Sequence, residues 1–290
     1  MVRDARRELE AARSLLFVPG ADPRKLDRAW SSGADVVVLD LEDAVAAVAK
    51  DEARALVTAA VRRRAGSGGP LCAVRVNAFD TPWGPDDLAA LVNCRPDAVM
   101  LPKASVEAVD AWTAHGPDSV SVIALIETSQ GLRQAYEIAA HPPVVALALG
   151  GADLGAELGW IPTDTGYELM HPRSVLTLDS AAAGIRAPFD VVHLAPGRPE
   201  LGRREAMQAR SLGLAGKLCI HPDQVRWVNE VFSPTPDELA QAARVVKALD
   251  TALEAGLAVA VVDGKLVDAP VARRARAMLR AAQLHADPSS

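Results

Sequence analysis

The stretch VIALIETSQGLRQAYEIAAHPPVVALALGGAD, residues 122–153, carries the reading that decides the fold. Two short apolar runs, Val122–Ile126 and Val144–Leu149, flank a polar segment with helical spacing, Gly131 to Ala140. Each run ends in an acid, Glu127 directly and Asp153 after Gly-Gly-Ala. A strand, a helix and a second strand in that order pair in parallel, so both carboxylates arrive at the same edge of one sheet. Mg2+ is held by one or two protein carboxylates plus waters and substrate oxygens, so such a pair suffices and leaves coordination positions open. The pair also reads as two solvated loop acids, and the rest of the chain has to decide.

Working outward, the same alternation recurs. Leu15–Val18, Val36–Leu39, Leu71–Val74, Ala98–Leu101, Val191–Leu194 and Leu218–Ile220 are further apolar runs, which brings the count to eight. Lys50 to Arg64, Pro85 to Leu91 and Glu200 to Leu212 are Ala/Arg/Glu-rich segments long enough for crossover helices. Eight strand–helix units are the count of a closed (β/α)8 TIM barrel, an α/β fold. The seventh run, between Pro188 and Pro196, is the least regular. We assign residues 1–232 to the barrel and 233–290 to a C-terminal helix and extension.

At 290 residues, half of them hydrophobic, the chain can bury a large core. The net charge of -6 argues against a nucleic-acid or anionic-membrane surface. Cys72, Cys94 and Cys219 stand apart, with neither a disulfide framework nor zinc-ligand spacing, which fits a reducing cytosol. Met1 to Arg13 is charged throughout, reads as an exposed helical lead-in rather than a signal peptide, and no apolar run reaches membrane-spanning length.

Barrel chemistry is done where the strands end. Those ends read Pro19-Gly20, Asp40-Leu-Glu42-Asp43, Arg75-Val-Asn77, Pro102-Lys103, Glu127, Gly150-Gly-Ala-Asp153 and His221-Pro222. Charges of several kinds on one rim point to a polyfunctional site rather than a solvated edge. Asp40 and Glu42 fall on the same side by the strand's period of two. There is no Ser/His/Asp elbow, GxGxxG fingerprint or GKS/T phosphate loop.

Arg13-Ser-Leu-Leu-Phe-Val-Pro-Gly20, Leu39-Asp-Leu-Glu-Asp-Ala-Val45 with Lys50 and Ala53-Arg54, Arg75-Val-Asn77, Leu101-Pro-Lys103, Ile126-Glu127, Gly151-Ala-Asp-Leu154, and Gly216-Lys217 with Ile220-His-Pro222 and Gln224 together resemble the citrate lyase β-subunit-like family over nearly the whole chain. That family belongs to the TIM-barrel, metal-dependent aldolases and acyl-CoA lyases, including citramalyl-CoA and malyl-CoA lyases. The resemblance implies a Mg2+ on Glu127 and Asp153 that chelates a 2-oxo acid, with acyl-CoA as the other substrate. It places Arg75 beside the developing alkoxide or enolate oxygen, where a fixed guanidinium fork is not replaced by Lys; a rim salt bridge is its other reading. Glu42 and Asp43 would hold metal waters and orient Arg75, with Lys50 and Arg54 as their charge partners. Pyruvate-type aldolases of the wider group tend to carry His where Asp43 stands, which favours the acyl-CoA lyase branch.

The tail, Val261-Val-Asp-Gly-Lys-Leu-Val-Asp268-Ala-Pro270, comes after a helix from about Pro236 to Ala255 and precedes an Arg-rich one ending near Leu284. It resembles the family's C-terminal lid, in which an Asp before x-Pro reaches a neighbouring subunit's active site. The matching residue is Asp268, either an acid/base for the acyl-methyl proton or a helix N-cap. This implies a homo-oligomer, a trimer or a multiple of one. Arg24, Lys25 and Arg28 are the nearest cations for coenzyme A phosphates, or an exposed basic face. His221 is a site residue or a barrel buttress, and Lys103 an electrostatic partner rather than a Schiff-base lysine. Two departures stand out: Ala195-Pro-Gly-Arg-Pro199 lacks the acids usual after the seventh run and leaves only Asp190 in reach, and His171-Pro172 precedes Arg173 where an aromatic-small pair is expected. The expected activity is therefore cleavage or formation of a small 3-hydroxy-dicarboxyl-CoA. A free-acid aldolase or thioesterase on the same site, and a non-catalytic lyase subunit, are the alternatives.

Overall fold

The computed structural model describes residues 4–64 and 68–286. Eight parallel strands succeed one another around a closed barrel: β1 (Ser14–Pro19), β2 (Val36–Asp40), β3 (Leu71–Arg75), β4 (Ala98–Leu101), β5 (Ser121–Ile126), β6 (Val144–Leu149), β7 (Phe189–Asp190) and β8 (Gly216–Cys219). The ring closes where β8 pairs with β1, Lys217 opposite Ser14.

A strand's side chains alternate between faces, and here the two faces build two different cores. Leu15, Val36, Val38, Ala73, Met100, Ile123, Leu125, Ala146, Ala148 and Phe189 fill the barrel interior. Leu16, Val37, Leu39, Val74, Val99, Ala124 and Leu147 pack outward with helical residues such as Val57, Val109, Ile138 and Leu176. The inward parity continues to the strand ends: Asp40 comes after Val36 and Val38, Arg75 after Ala73, and Glu127 after Ile123 and Leu125. Asp40 and Arg75 are thus the last inward-facing positions of β2 and β3, and Glu127 continues that parity one residue past β5.

Three expectations need correction. The seventh strand is Phe189–Asp190, not Val191–Leu194; Phe189 pairs with Ala148 and with Gly216, and Asp190 with Lys217. Beyond Asp190 the chain leaves the ladder, and the His193 carbonyl instead accepts from the Gln224 side chain at 2.8 Å. The segment Gly131 to Ala140 is two short helices, Ser129–Arg133 and Ala135–Ala139, separated at Gln134. The N-terminal lead-in is only partly exposed: in helix Ala5–Ala11 and its C-cap, Leu9 and Ala12 are buried with the interior cluster of the barrel.

The chain divides into two units, Met1–Phe232 and Ser233–Ser290. The second has its own small core of Ala242, Val245, Leu249, Val267, Ala272 and Ala275. Its first helix, Pro236–Glu254, opens with a capping box between Thr235 and Glu238. A hairpin comes next, β9 (Ala260–Val262) and β10 (Lys265–Val267). Its two turn residues, Asp263 and Gly264, both have positive φ (51° and 76°), as the tightest hairpin turns require. Helix Ala269–Ala286 closes the unit. No helix among the described residues is long and apolar enough to cross a membrane.

Candidate active site

Arg75 is the centre of a charged web at the strand ends. Its Nε and Nη2 donate to the two carboxylate oxygens of Asp40 at 2.8 and 2.6 Å, a fork-on-fork pair between adjacent strands. Nη1 donates to Asp43 at 3.3 Å and lies 2.8 Å from Glu42 Oε2. The guanidinium also stacks over Phe17, 4.9 Å from the ring centre. Burial works against its charge, but the bonds to Asp40 and the charges of Asp40, Glu42 and Asp43 outweigh it and hold its pKa above the ordinary value. Asp40 is fixed in turn by the backbone N–H groups of Glu42 and Ala44. From the sequence the orientation of Arg75 was expected of Glu42 and Asp43; Asp40, the last residue of β2 and in register with Arg75, does most of it.

Glu42 faces two cations but is not satisfied. Oε1 accepts from Lys103 Nζ at 3.0 Å. Oε2, although close to Arg75, is out of line for a hydrogen bond and is buried without a donor. Burial raises the Glu42 pKa, partly offset by Arg75.

Glu127 accepts the backbone N–H of Lys103 at 2.8 Å, an interaction made possible by the left-handed backbone of Lys103 (φ 45°). A Cβ on Gly150 would lie 2.6 Å from Glu127 Oε2, so only glycine leaves room for that carboxylate. Burial, reinforced by the charge of Glu42, pushes the Glu127 pKa up to about 8. Asp153, in the first turn of helix Gly151–Leu158, is exposed and adds to that repulsion. A cavity of about 420 Å3 is lined by Asp40, Asp43, Arg75, Glu127 and Asp153 together. Among the described residues no group of three or more His, Cys, Asp or Glu is set to hold a metal. The fit to a hard divalent cation therefore rests on two carboxylates, on the repulsion between them, and on the unsatisfied oxygen of Glu42 nearby, a pattern that suits a cation keeping waters and substrate in its shell.

The remaining candidates lie elsewhere. Lys50 does not pair with the side chains of Glu42 or Asp43; its Nζ donates to the carbonyls of Leu41 and Glu42 and to Asn77 Oδ1, pinning the ends of β2 and β3 together. Arg54 pairs with Asp87 and Asp51. Arg24, Lys25 and Arg28 are exposed on helix Pro23–Ala29, whose N-cap is Asp22. His221 is half exposed and absent from the cavity lining; its Nδ1 accepts the N–H of Asp223. Asp190 is not within reach of a substrate: it is fully buried, held by Arg173 at 2.7 and 3.0 Å and Lys217 at 2.7 Å. His171 and Pro172 lie in the first turn of helix Met170–Ala183. Asp268 caps helix Ala269–Ala286, its Oδ1 accepting from Val271 N at 3.2 Å.

Residues 13–222, the span from β1 to just past β8, match the model of HpcH/HpaI aldolase/citrate lyase. The chain belongs to that family. Within it, the chain is 39% identical over 257 residues to a (3S)-malyl-CoA thioesterase of Cereibacter sphaeroides, covering 88% of this chain and 89% of that one. It is 35% identical to the citrate lyase subunit beta of Escherichia coli K12, covering 96% and 95%. Among solved structures, the CitE protein of Mycobacterium tuberculosis in complex with magnesium, acetoacetate and coenzyme A superposes with a TM-score of 0.78 at 35% identity, covering 94% of this chain and 99% of that one.

Proposed function

We propose that this chain is a Mg2+-dependent carbon–carbon lyase that cleaves or forms a small 3-hydroxy-dicarboxyl-CoA, such as malyl-CoA or citramalyl-CoA, with acetyl-CoA and a 2-oxo acid as the other partners. The observation that carries the reading is one cavity lined by a buried, pre-aimed arginine and by two carboxylates from neighbouring strand ends. Bound by Glu127 and Asp153, Mg2+ would supply Lewis acidity and a template for the acid's oxygens.

In the cleavage direction the substrate hydroxyl gives its proton to a water ordered by Glu42 and Asp43 and becomes the carbonyl of the 2-oxo acid. The electron pair of the breaking carbon–carbon bond passes into the enolate of the acetyl thioester, which then takes a proton at carbon. Arg75 serves the developing oxygen charge through Nη1, because Asp40 holds Nε and Nη2 and fixes the plane in advance. Glu42 and Asp43 keep Nη1 aimed into the cavity and order water there. Asp268, contributed by a neighbouring copy in a trimer or a multiple of one, handles the proton at carbon. Arg24, Lys25 and Arg28 meet the phosphates of coenzyme A, and His221 borders them. Cys72, Cys94 and Cys219 are all buried.

The second reading is hydrolysis of the same thioester, favoured by the identity to the Cereibacter sphaeroides thioesterase. Incubating the protein with Mg2+ and malyl-CoA or citramalyl-CoA, and resolving products by mass, separates the two. Lyase action yields acetyl-CoA and a 2-oxo acid; hydrolysis yields free CoA and the hydroxy diacid. Turnover of the free hydroxy diacid would instead mark an aldolase, and no turnover a non-catalytic subunit. We expect the lyase products, lost in chelator and restored by Mg2+.

A further inference from the structure

The cavity has two unlike halves. The side built from the ends of β2, β3, β5 and β6 carries four carboxylates, Asp40, Asp43, Glu127 and Asp153, and one cation, Arg75. The side built by β7, β8 and the residues just beyond their ends presents Val192, Leu194, Leu218 and Ile220, with no charged group among the described residues that line it. Leu194 is 69% exposed and Ile220 is 41% exposed, so aliphatic surface is left open to whatever enters. Exposed aliphatic side chains gathered in a cleft mark a place where a ligand buries apolar surface.

This wall is held in place. His193, between Val192 and Leu194, is buried, with Nε2 3.1 Å from the Arg198 carbonyl and Nδ1 3.5 Å from Glu205. Its own carbonyl accepts from Gln224, the residue that also binds the Ile220 N–H. One side chain therefore ties both halves of the wall together.

Resting on the proposed function, we infer that the wall receives an uncharged alkyl substituent of the 2-oxo acid. The site then selects an acid R–CO–COO− in which R is alkyl over one in which R carries a second carboxylate. A second carboxylate would meet aliphatic carbon there, with no cation among the described residues that line that side to pair it. An unpaired charge in that position is strongly disfavoured. A methyl in an apolar pocket gains roughly tenfold or more over hydrogen.

The test is calorimetric titration of the Mg2+-loaded protein with glyoxylate, pyruvate, 2-oxobutyrate and freshly dissolved oxaloacetate. We expect pyruvate and 2-oxobutyrate to bind at least tenfold more tightly than oxaloacetate, and more tightly than glyoxylate. Leu194→Arg, at an exposed position, should bring oxaloacetate level with pyruvate or ahead of it, and Ile220→Lys provides a second such variant. If all four acids bind but oxaloacetate matches or exceeds pyruvate in the unaltered protein, the alkyl wall is wrong and the lyase reading stands. If both cationic variants leave the ranking unchanged, the wall does not set selectivity and the inference falls. If none of the acids binds, the proposed function fails and takes this inference with it.

Discussion

Among the described residues, two buried arginine–aspartate forks are nearly the same object in different places. Arg75 grips Asp40 and Arg173 grips Asp190, each through Nε and Nη2 at 2.6 to 3.0 Å. Each fork has a lysine and a glutamate close by, Lys103 with Glu42 in the first and Lys217 with Glu205 in the second. The difference lies in what the web faces. Arg173, Asp190 and Lys217 are wholly sealed; the parity of Asp190 in β7 and Lys217 in β8 turns both outward, where Arg173 on helix Met170–Ala183 meets them. Arg75 retains 8% exposure, lines the cavity, and leaves Glu42 Oε2 without a donor. A sealed, satisfied web holds the fold; an open one with a polar atom to spare is available for chemistry.

The largest effect we expect tests the sealed web. Arg173→Met removes one partner from a buried cluster and leaves Asp190 with only Lys217, which should cost about 3 kcal/mol or more in urea unfolding. An effect under about 1 kcal/mol would mean that the cluster is not a structural pin. Arg75→Lys tests the open web. It keeps the charge but cannot reproduce the fork, so kcat should fall about 100-fold, with a smaller change in KM for the acyl-CoA and little loss of stability. If stability falls as it does for Arg173→Met while kcat holds, Arg75 belongs with the sealed class.

A smaller effect sharpens the same contrast through pH. Burial alone would raise the Asp190 pKa, but Lys217 and Arg173 hold it below the ordinary carboxylate range. A carboxylate depressed in the folded state stabilises fully above its unfolded pKa, about 3.9, and loses that contribution as pH falls through the folded value. The stability advantage of the native protein over Asp190→Asn should therefore be constant from pH 5 to 7 and shrink by about 1 kcal/mol or more below pH 4. Urea midpoints at pH 7 and pH 3 check this; a constant gap would show that Asp190 is not held as a charged pair.

The barrel was legible because eight apolar runs alternate with helical segments and because acids close β5 and β6. What the sequence concealed were matters of a side chain's direction. Asp40, Glu42 and Asp43 stand together in one motif, and parity groups Asp40 with Glu42; what singles out Asp40 is that it is the last residue of β2, in register with Arg75 on β3. Asp190 stands just before the run expected as the seventh strand, Val191–Leu194, and was expected to be in reach of the substrate. Moving the strand to Phe189–Asp190 puts that acid inside the ladder, opposite Lys217. Lys50 lies near the acidic motif in sequence but is spent on carbonyls and Asn77. Spacing along a chain does not reveal which atom a flexible amine will reach.

Asp268 poses the same question of sealed against open at the smallest energy. Its Oδ1 accepts the N–H of Val271, so as an N-cap its removal should cost about 1 kcal/mol in the unit Ser233–Ser290. That bond leaves the other carboxylate oxygen for a second task. If Asp268 also serves the active site of a neighbouring copy, Asp268→Ala should be nearly inactive although folded. Mixing it with Glu127→Gln, also nearly inactive, should restore some activity, because a mixed oligomer contains sites that hold both native residues. Asp268→Asn separates the roles further, since the amide oxygen can still cap the helix but the side chain cannot carry the proton. Stable and inactive Asp268→Asn, with rescue on mixing, supports a shared site. Full activity of Asp268→Ala, or mixtures that stay inactive after demonstrated subunit exchange, would leave Asp268 as the cap of the last helix, and the acid for the acyl carbon would then have to be sought among Asp43 and its neighbours on the barrel rim.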